Sequence, residues 1–160
     1  MIVGWTGHRP DLFRDPHAAA ASVDAAARDL VAGEQVGAFL VGGQRGVDTW
    51  AALAAIALGV PFTLILPLDV SEFTRGWATP DRVVLEQTIA RAADVRVAGG
   101  YTQRNRQIAT GVNLLIAVWT RVGRGGTAET VALARAAGTP IHEIVLDPAP
   151  TAGSAQGRGI

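Results

Sequence analysis

Residues 36–66 read VGAFLVGGQRGVDTWAALAAIALGVPFTLIL, and this stretch decides the fold. An apolar run, 36–41, ends at two glycines. An Ala-rich stretch, 47–58, has the composition of a helix and ends at Gly59, and a second apolar run follows at 62–66. Strands that are apolar at nearly every position and alternate with helices are typical of a parallel sheet covered on both faces.

The same alternation continues toward both ends of the chain. It predicts strands at 1–5, 36–41, 62–66, 95–97, 113–119 and 141–145, and helices at 17–32, 47–58, 81–92, 101–110 and 127–137. A longer connection, 67–79, contains Phe73 and Trp77, and it could be either a lid or part of the core. We therefore predict an α/β fold, a Rossmann-like three-layer sandwich with a mainly parallel central sheet.

The predicted domain covers residues 1–147, and the Pro-, Ala-, Gly- and Ser-rich stretch 148–160 is predicted to be a disordered tail. The N-terminal residues lack the pattern of a signal peptide, and no apolar stretch has the length of a membrane span. We therefore expect a cytoplasmic protein without a membrane partner.

Composition excludes several kinds of chemistry. The 160 residues include no cysteine, and all 14 basic residues are arginine, so that cysteine nucleophiles, thiolate zinc sites and catalytic or Walker-type lysines are absent. The 14 acidic residues bring the net charge to zero, which disfavours a nucleic-acid partner. The three histidines, His8, His17 and His142, are far apart, and we predict no metal site.

Known catalytic and cofactor motifs are also missing. The first strand is not followed by G-x-G-x-x-G, and the second strand does not end in an acidic residue, which disfavours a nicotinamide dehydrogenase. Neither H-E-x-x-H nor G-x-S-x-G occurs. The remaining candidates are four loops at the carboxyl ends of the predicted strands, where α/β sheets bind ligands.

The first loop, residues 4–9, follows the first strand. Gly7 permits a tight turn and close approach of a ligand, and His8 and Arg9 could contact a phosphate or a base. The alternative is an ordinary turn with an exposed histidine and arginine.

The second loop, residues 42–48, leads into a helix, where backbone N–H groups and the helix dipole favour an anion. Its candidate ligand-binding residues are Gly42, Gly43, Arg45, Gly46 and Asp48. Asp48 could instead cap the helix. Three glycines around an arginine exceed what a simple cap needs, which favours ligand binding.

The third loop, residues 101–106, is dense in polar donors, including Asn105. Arg104 and Arg106 could clamp a phosphate, and Tyr101 could stack on a base. A solvated helix face with Tyr101 half-buried explains the same spacing equally well.

The fourth loop, residues 124–129, again places glycines before a helix. Gly125, Gly126 and the Thr127 hydroxyl could hold a phosphate. Glu129 could simply suit the positive end of the helix dipole, or it could contact ribose hydroxyls or act at a glycosidic centre.

Together these loops resemble the SLOG superfamily, which includes DNA-processing protein A and the Lonely Guy hydrolases. The resemblance lies in TGHRP at 6–10, GGQRGVDTWAA at 42–52, RNRQIA at 104–109, and NLLIAVW at 113–119 followed by GGTAET at 125–130. It spans about residues 1–145 and is closest to a small, uncharacterised bacterial single-domain branch.

The resemblance implies a nucleotide pocket over the loops and a homo-oligomer, often a dimer. It implies that Gly43 and Gly46 shape the second loop and that Asp48 and Arg104 bracket the ligand. It also implies that Gly125, Gly126 and Thr127 hold the phosphate of the ligand. The chain departs from the Lonely Guy pattern, because the position of the catalytic carboxylate is occupied by Thr130, Glu129 lies one residue early, and Arg124 replaces a proline.

Three functions follow as hypotheses. The first is a protein that binds a nucleotide or nucleotide-derived metabolite without chemistry, and it requires no other cofactor. The second is a nucleoside 5′-monophosphate N-glycoside hydrolase, in which Arg104 positions the phosphate and Glu129 stabilises oxocarbenium character or orients water. The third is a single-stranded DNA-binding core, which the neutral net charge disfavours.

Overall fold

A computed structural model describes residues 1–151 of the chain, which form a six-stranded sheet flanked by helices. The strands are β1 Ile2–Gly7, β2 Ala38–Val41, β3 Phe62–Leu66, β4 Asp94–Val97, β5 Leu114–Trp119 and β6 Ile141–Val145. The helices are α1 Pro16–Gly33, α2 Val47–Leu58, α3 Val70–Phe73, α4 Thr79–Arg91, α5 Tyr101–Thr110 and α6 Gly126–Ala137, and a 3-10 turn spans Pro10–Leu12.

The strand order is β4-β3-β2-β1-β5-β6, and every neighbouring pair is parallel. This confirms the predicted Rossmann-like α/β fold. The chain adds strands on one side of β1 up to β4 and then crosses to the other side for β5 and β6. Because parallel crossovers are right-handed, α1, α2 and α4 cover one face and α5 and α6 the other. The direction of strand addition reverses between β1 and β5, where such sheets bind ligands.

The largest part of the core lies under α1 and α2. The rings of Trp5 and Phe39 meet edge to face with centroids 5.3 Å apart, and both side chains are fully buried. Small buried residues, Ala27 in α1 and Ala51 and Ala55 in α2, face them. The Ala-rich composition of these helices therefore lets two helices approach one sheet closely.

Several predicted elements agree with the structure residue by residue, namely α2, β3, α5 and β6. The first strand is longer than predicted, because Thr6 pairs with Ala117 and Gly7 with Val118, which makes part of the expected turn a continuation of the sheet. The connection 67–79 contains α3. Phe73 is buried in a cluster that includes Leu66 and Leu85, and this favours core packing over a lid.

The start of the predicted tail contacts the chain near the end of β1. Pro148 forms an antiparallel bridge with Phe13, and the backbone N–H of Ala149 donates to the Leu12 carbonyl at 3.0 Å. Contacts with the rest of the protein therefore continue past residue 147, to Pro148 and Ala149. The remainder of the predicted tail, 152–160, lies outside the described residues. Within residues 1–151, no helix has the length and apolar character needed to cross a membrane.

Gly7 marks the point where β1, β5 and α2 meet, and Gly7→Ala is expected to destabilise the protein. An added Cβ would lie closer than 3.0 Å to the Val47 side chain and the Val118 carbonyl oxygen. We expect a loss of about 1–3 kcal/mol in the free energy of unfolding, the usual cost of overpacking. Chemical denaturation measures it. The control is Gly33→Ala, since a Cβ at that helical glycine meets no atom within 4 Å. Equal midpoints for Gly7→Ala and the wild type would contradict this prediction.

Candidate functional site

A pocket of about 340 Å³ lies at the carboxyl ends of β1 and β5, at the point where strand addition reverses. Each of the four sequence-predicted loops contributes to it. Its lining comprises Thr6, Gly7, His8, Arg9, Leu12, Gln44, Asp48, Tyr101, Arg104, Asn105, Ile108 and residues 122–128.

The structure brings most of the predicted ligand-binding residues together at this pocket. Those in its lining are Gly7, His8, Arg9, Asp48, Arg104, Asn105, Gly125, Gly126 and Thr127. Those outside its lining are Gly42, Gly43, Arg45, Gly46 and Glu129.

The second-loop glycines allow close contacts between parts of the protein. A Cβ on Gly42 would collide with the Arg104 guanidinium and approach Asp48 Oδ2 to 2.8 Å. Gly46 has φ of 88°, and a Cβ there would collide with the carbonyl oxygen of His8. These glycines therefore leave room for the Arg104 side chain and for the first loop. The sequence pattern predicted instead that they leave room for a bound phosphate.

Arg45, predicted to bind ligand, lies beside α4. Its guanidinium carbon is 5.0 Å from the centroid of the Trp77 ring, and Nη1 is 3.9 Å from Asp81 Oδ2. The side chain thus packs on the segment that joins β3 to α4.

Arg104 and Asp48 form a buried charged pair at the floor of the pocket. Arg104 Nη1 donates to the Gly42 carbonyl and Nε to Asn105 Oδ1, both at 2.7 Å, and Asp48 Oδ2 lies 4.0 Å from Nη1. Asp48 also accepts from the Gln44 backbone N–H at 3.1 Å. Burial raises the pKa of Asp48 to about 6, against the opposing charge of Arg104. The pocket therefore contains a fixed cation and a carboxyl group that titrates near neutral pH.

His8 adds a neutral imidazole to the pocket wall. Burial, helped by the positive charge of Arg9, lowers the pKa of His8 below its usual value. Nε2 lies 3.1 Å from the Thr120 hydroxyl, and the ring packs against Phe13 and Trp119 with centroids 5.7 and 6.3 Å away. At neutral pH this ring can donate or accept a hydrogen bond without adding charge.

The fourth loop presents the start of α6 to the pocket. Gly125 is the N-cap residue, and no side chain among the described residues caps the first turn. Gly125 has φ of 171°, an extended conformation open to any residue, and a Cβ there would meet no atom within 4 Å. The unpaired N–H groups of a first helical turn and its positive dipole end can hold an anion.

Glu129 lies in the first turn of α6, outside the pocket lining. It is half-buried, and its Oε1 is buried without a hydrogen-bond partner in the described part of the chain. Thr130, the next residue, is buried and donates to the Gly126 carbonyl at 2.7 Å. This geometry separates both positions from the pocket lining.

Several pocket residues were missed in the sequence. Gln44 could have been found, because it is a polar residue inside the second loop. Thr6 falls in the predicted first loop, whereas the structure places it within β1, where that strand meets the pocket. Leu12 and Val122 carry no signal, because apolar side chains 40% and 56% exposed reach the pocket rim only through the local course of the chain.

No protein-family model matches the chain, and no curated protein matches it. Similar folds occur among solved structures. DNA processing protein A from Helicobacter pylori, described for its single-stranded DNA binding mode, has a TM-score of 0.65 and 16% identity over 99% of this chain and 73% of that chain.

Two further structures of similar fold have a different ligand. The molybdenum cofactor binding protein from Rippkaea orientalis gives a TM-score of 0.62 and 22% identity over 91% of this chain and 77% of its own. The molybdenum cofactor carrier protein from Chlamydomonas reinhardtii gives a TM-score of 0.59 and 24% identity over 92% of this chain and 77% of its own. At these identities the likeness shows the fold alone.

Proposed function

We propose that this chain, whose fold is that of the SLOG proteins, binds a nucleotide or nucleotide-derived metabolite with the phosphate at the start of α6. The observation that carries the proposal is the uncapped first turn of α6 in the pocket lining. Neither the backbone conformation of Gly125 nor any protein neighbour requires glycine there. A ligand that approaches the backbone closely supplies such a reason.

The size and charge of the pocket favour a small phosphorylated molecule. A volume of about 340 Å³ is near the lower end of the range for small-molecule sites, roughly 300–1,000 Å³, and suits a mononucleotide better than a dinucleotide. Arg9 and Arg124 add positive charge to the lining. Tyr101, 48% exposed, offers a ring face on which a base can stack.

The similar folds serve ligands of two kinds, single-stranded DNA in one protein and the molybdenum cofactor in two others. For this chain, zero net charge weighs against a polymer of phosphates, because such binding draws on an excess of cationic side chains. A small molecule is therefore the better-supported class.

Binding without hydrolysis is also better supported than N-glycoside hydrolysis. A catalytic carboxylate must reach the glycosidic centre, and Glu129 does not line the pocket. Arg104, the proposed phosphate-positioning residue, already uses Nε and Nη1 for protein contacts. Only its Nη2 has no hydrogen bond among residues 1–151 and could take a phosphate oxygen.

Thermal unfolding with a ligand panel tests the proposal. The panel contains AMP, GMP, CMP, ADP-ribose, NAD and a short DNA strand, with adenosine and guanosine as matched controls that lack phosphate. A ligand at ~100 times its dissociation constant should stabilise the protein by roughly 2.7 kcal/mol. We expect the largest shift from a mononucleotide and little from the nucleosides. Absence of a shift with every compound would exclude the proposed ligand class.

Glu129→Gln separates binding from hydrolysis. Because Glu129 lies outside the lining, we expect the variant to bind the mononucleotide identified by the panel with unchanged affinity. We also expect neither protein to release free base, as measured by chromatography. Base release by the wild type and its loss in Glu129→Gln would establish the hydrolase instead.

A further inference from the structure

The loop between β5 and α6 begins with an unusual backbone conformation. Arg121 has φ of 61°, and it is the one residue other than glycine in the range 1–151 with a positive φ. Side chains with a Cβ disfavour this left-handed region, so that neighbouring contacts must hold the residue there. The pocket-lining stretch 122–126 follows directly.

Those contacts converge on one carboxylate, that of Glu143 in β6. Arg121 donates from Nε to Oε1 at 3.2 Å and from Nη2 to Oε2 at 2.9 Å, a bidentate pair. Trp119 Nε1 donates to Oε1 at 2.9 Å, and Arg135 Nη2 to Oε2 at 3.4 Å. Glu143 thus joins the end of β5, Arg121 in the loop that follows, and α6.

Burial separates Glu143 from an ordinary surface ion pair. Its side chain is 18% exposed, whereas those of Arg121 and Arg135 are about 60% exposed (58% and 61%). The hydrogen bonds from Arg121 hold the pKa of Glu143 below its usual value, so that it stays ionised through the neutral range. A bidentate guanidinium–carboxylate pair fixes orientation as well as distance.

The same turn is tied to the first loop from its other side. The backbone N–H of Val122 donates to the Thr120 hydroxyl at 3.2 Å, and that hydroxyl is the partner of His8 Nε2. The course of the chain into the pocket lining is therefore held both by β6 and by the end of β1.

We infer that Glu143 is a positioning residue, whose bidentate ion pair with Arg121 fixes residues 122–126 over the pocket. Glu143 itself does not line the pocket. The inference rests on the proposed function, since the loop it positions is the proposed phosphate site. We expect that loss of this contact loosens the segment that leads into the α6 N–H groups and so makes their position less fixed.

Hydrogen–deuterium exchange of the ligand-free full chain tests the role of this ion pair directly. The variants are Glu143→Ala and Arg121→Asn, and asparagine tolerates a positive φ without adding the flexibility of glycine. We expect amide exchange in residues 121–127 to become about fivefold faster, because a partly exposed ion pair contributes up to about 1 kcal/mol to local stability. Arg135→Ala is the control, because it removes a longer bond to the same carboxylate from the far end of α6.

The second readout is the dissociation constant for inorganic phosphate. We expect weaker phosphate binding in both Glu143→Ala and Arg121→Asn. Because Glu143→Ala removes a negative charge, electrostatics alone would strengthen anion binding, and a weaker affinity in that variant therefore reports the position of the loop. Unchanged exchange in both variants, or an equal rise in Arg135→Ala, would overturn the inference. Faster loop exchange together with no phosphate binding by the wild type would support the role of the ion pair and overturn the proposed function.

Discussion

Replacing Arg104 with methionine is expected to lower the free energy of unfolding by about 3–5 kcal/mol at pH 8, the usual effect of removing one partner of a buried charged pair. Methionine fills much of the same volume, but it leaves the Gly42 carbonyl and Asn105 Oδ1 without their donor. It also leaves Asp48 buried without the cation beside it.

The loss should depend on pH, and the sign follows from Asp48. Its pKa is about 6 in the folded protein and 3.8 as an ordinary value, so its contribution to stability is fully present below 3.8 and is lost as the pH rises through 6. Arg104 lowers this pKa, and its removal raises it further. We therefore expect Arg104→Met to lower the free energy of unfolding more at pH 8 than at pH 5. At pH 8 the buried Asp48 must either stay ionised without a neighbouring cation or take up a proton far above its ordinary pKa, whereas at pH 5 it is already largely protonated.

Denaturant unfolding at pH 5 and pH 8 measures both values. Adding Asp48→Asn to Arg104→Met should recover part of the loss at pH 8, because it removes the unpaired charge. Arg106→Met is the matched control, an exposed arginine in the same helix, and should change stability by no more than about 0.5 kcal/mol. A loss that is equal at the two pH values would contradict the assigned coupling.

The fold could be predicted because apolar runs alternate with Ala-rich runs, and glycines mark many of the boundaries between them. The prediction of α2 is correct to the residue, since its start is marked by Gly46 and its end by Gly59. The end of β1 could not be predicted, because Thr6 and Gly7 become strand only through pairing with β5, at residues 111 positions further along the chain. The predicted homo-oligomer stays a prediction.

The candidate site was predictable as a set of loops, but the role of individual residues was not. A glycine pattern predicts that some group packs closely against the backbone, but it does not identify that group. At Gly42 the group is the Arg104 side chain, and at Gly46 it is the backbone of His8. Arg45 and Arg104 were both predicted to bind the ligand, yet Arg45 packs on Trp77 and lies near Asp81 beside α4. Such assignments depend on contacts between elements distant in the chain.

Gly125→Asp should have opposite effects on stability and on binding. Aspartate is a preferred N-cap residue and suits the positive end of the helix dipole, so the free energy of unfolding should stay equal or rise by up to about 1 kcal/mol. The extended backbone and the open space around Gly125 accept the side chain without strain. The same carboxylate would repel a bound phosphate and occupy its N–H donors.

We expect the affinity for the mononucleotide identified by the panel to fall about 100-fold, because like charges in contact at a binding site cost several kcal/mol. Gly125→Asn is the matched control, since asparagine caps the helix equally well without a charge. Isothermal titration of both variants separates capping from repulsion: a smaller loss in Gly125→Asn places a negative group of the ligand at the start of α6. Full affinity in Gly125→Asp would mean that the ligand's phosphate binds elsewhere, and the basic residues Arg9 and Arg124 would then be the next positions to substitute.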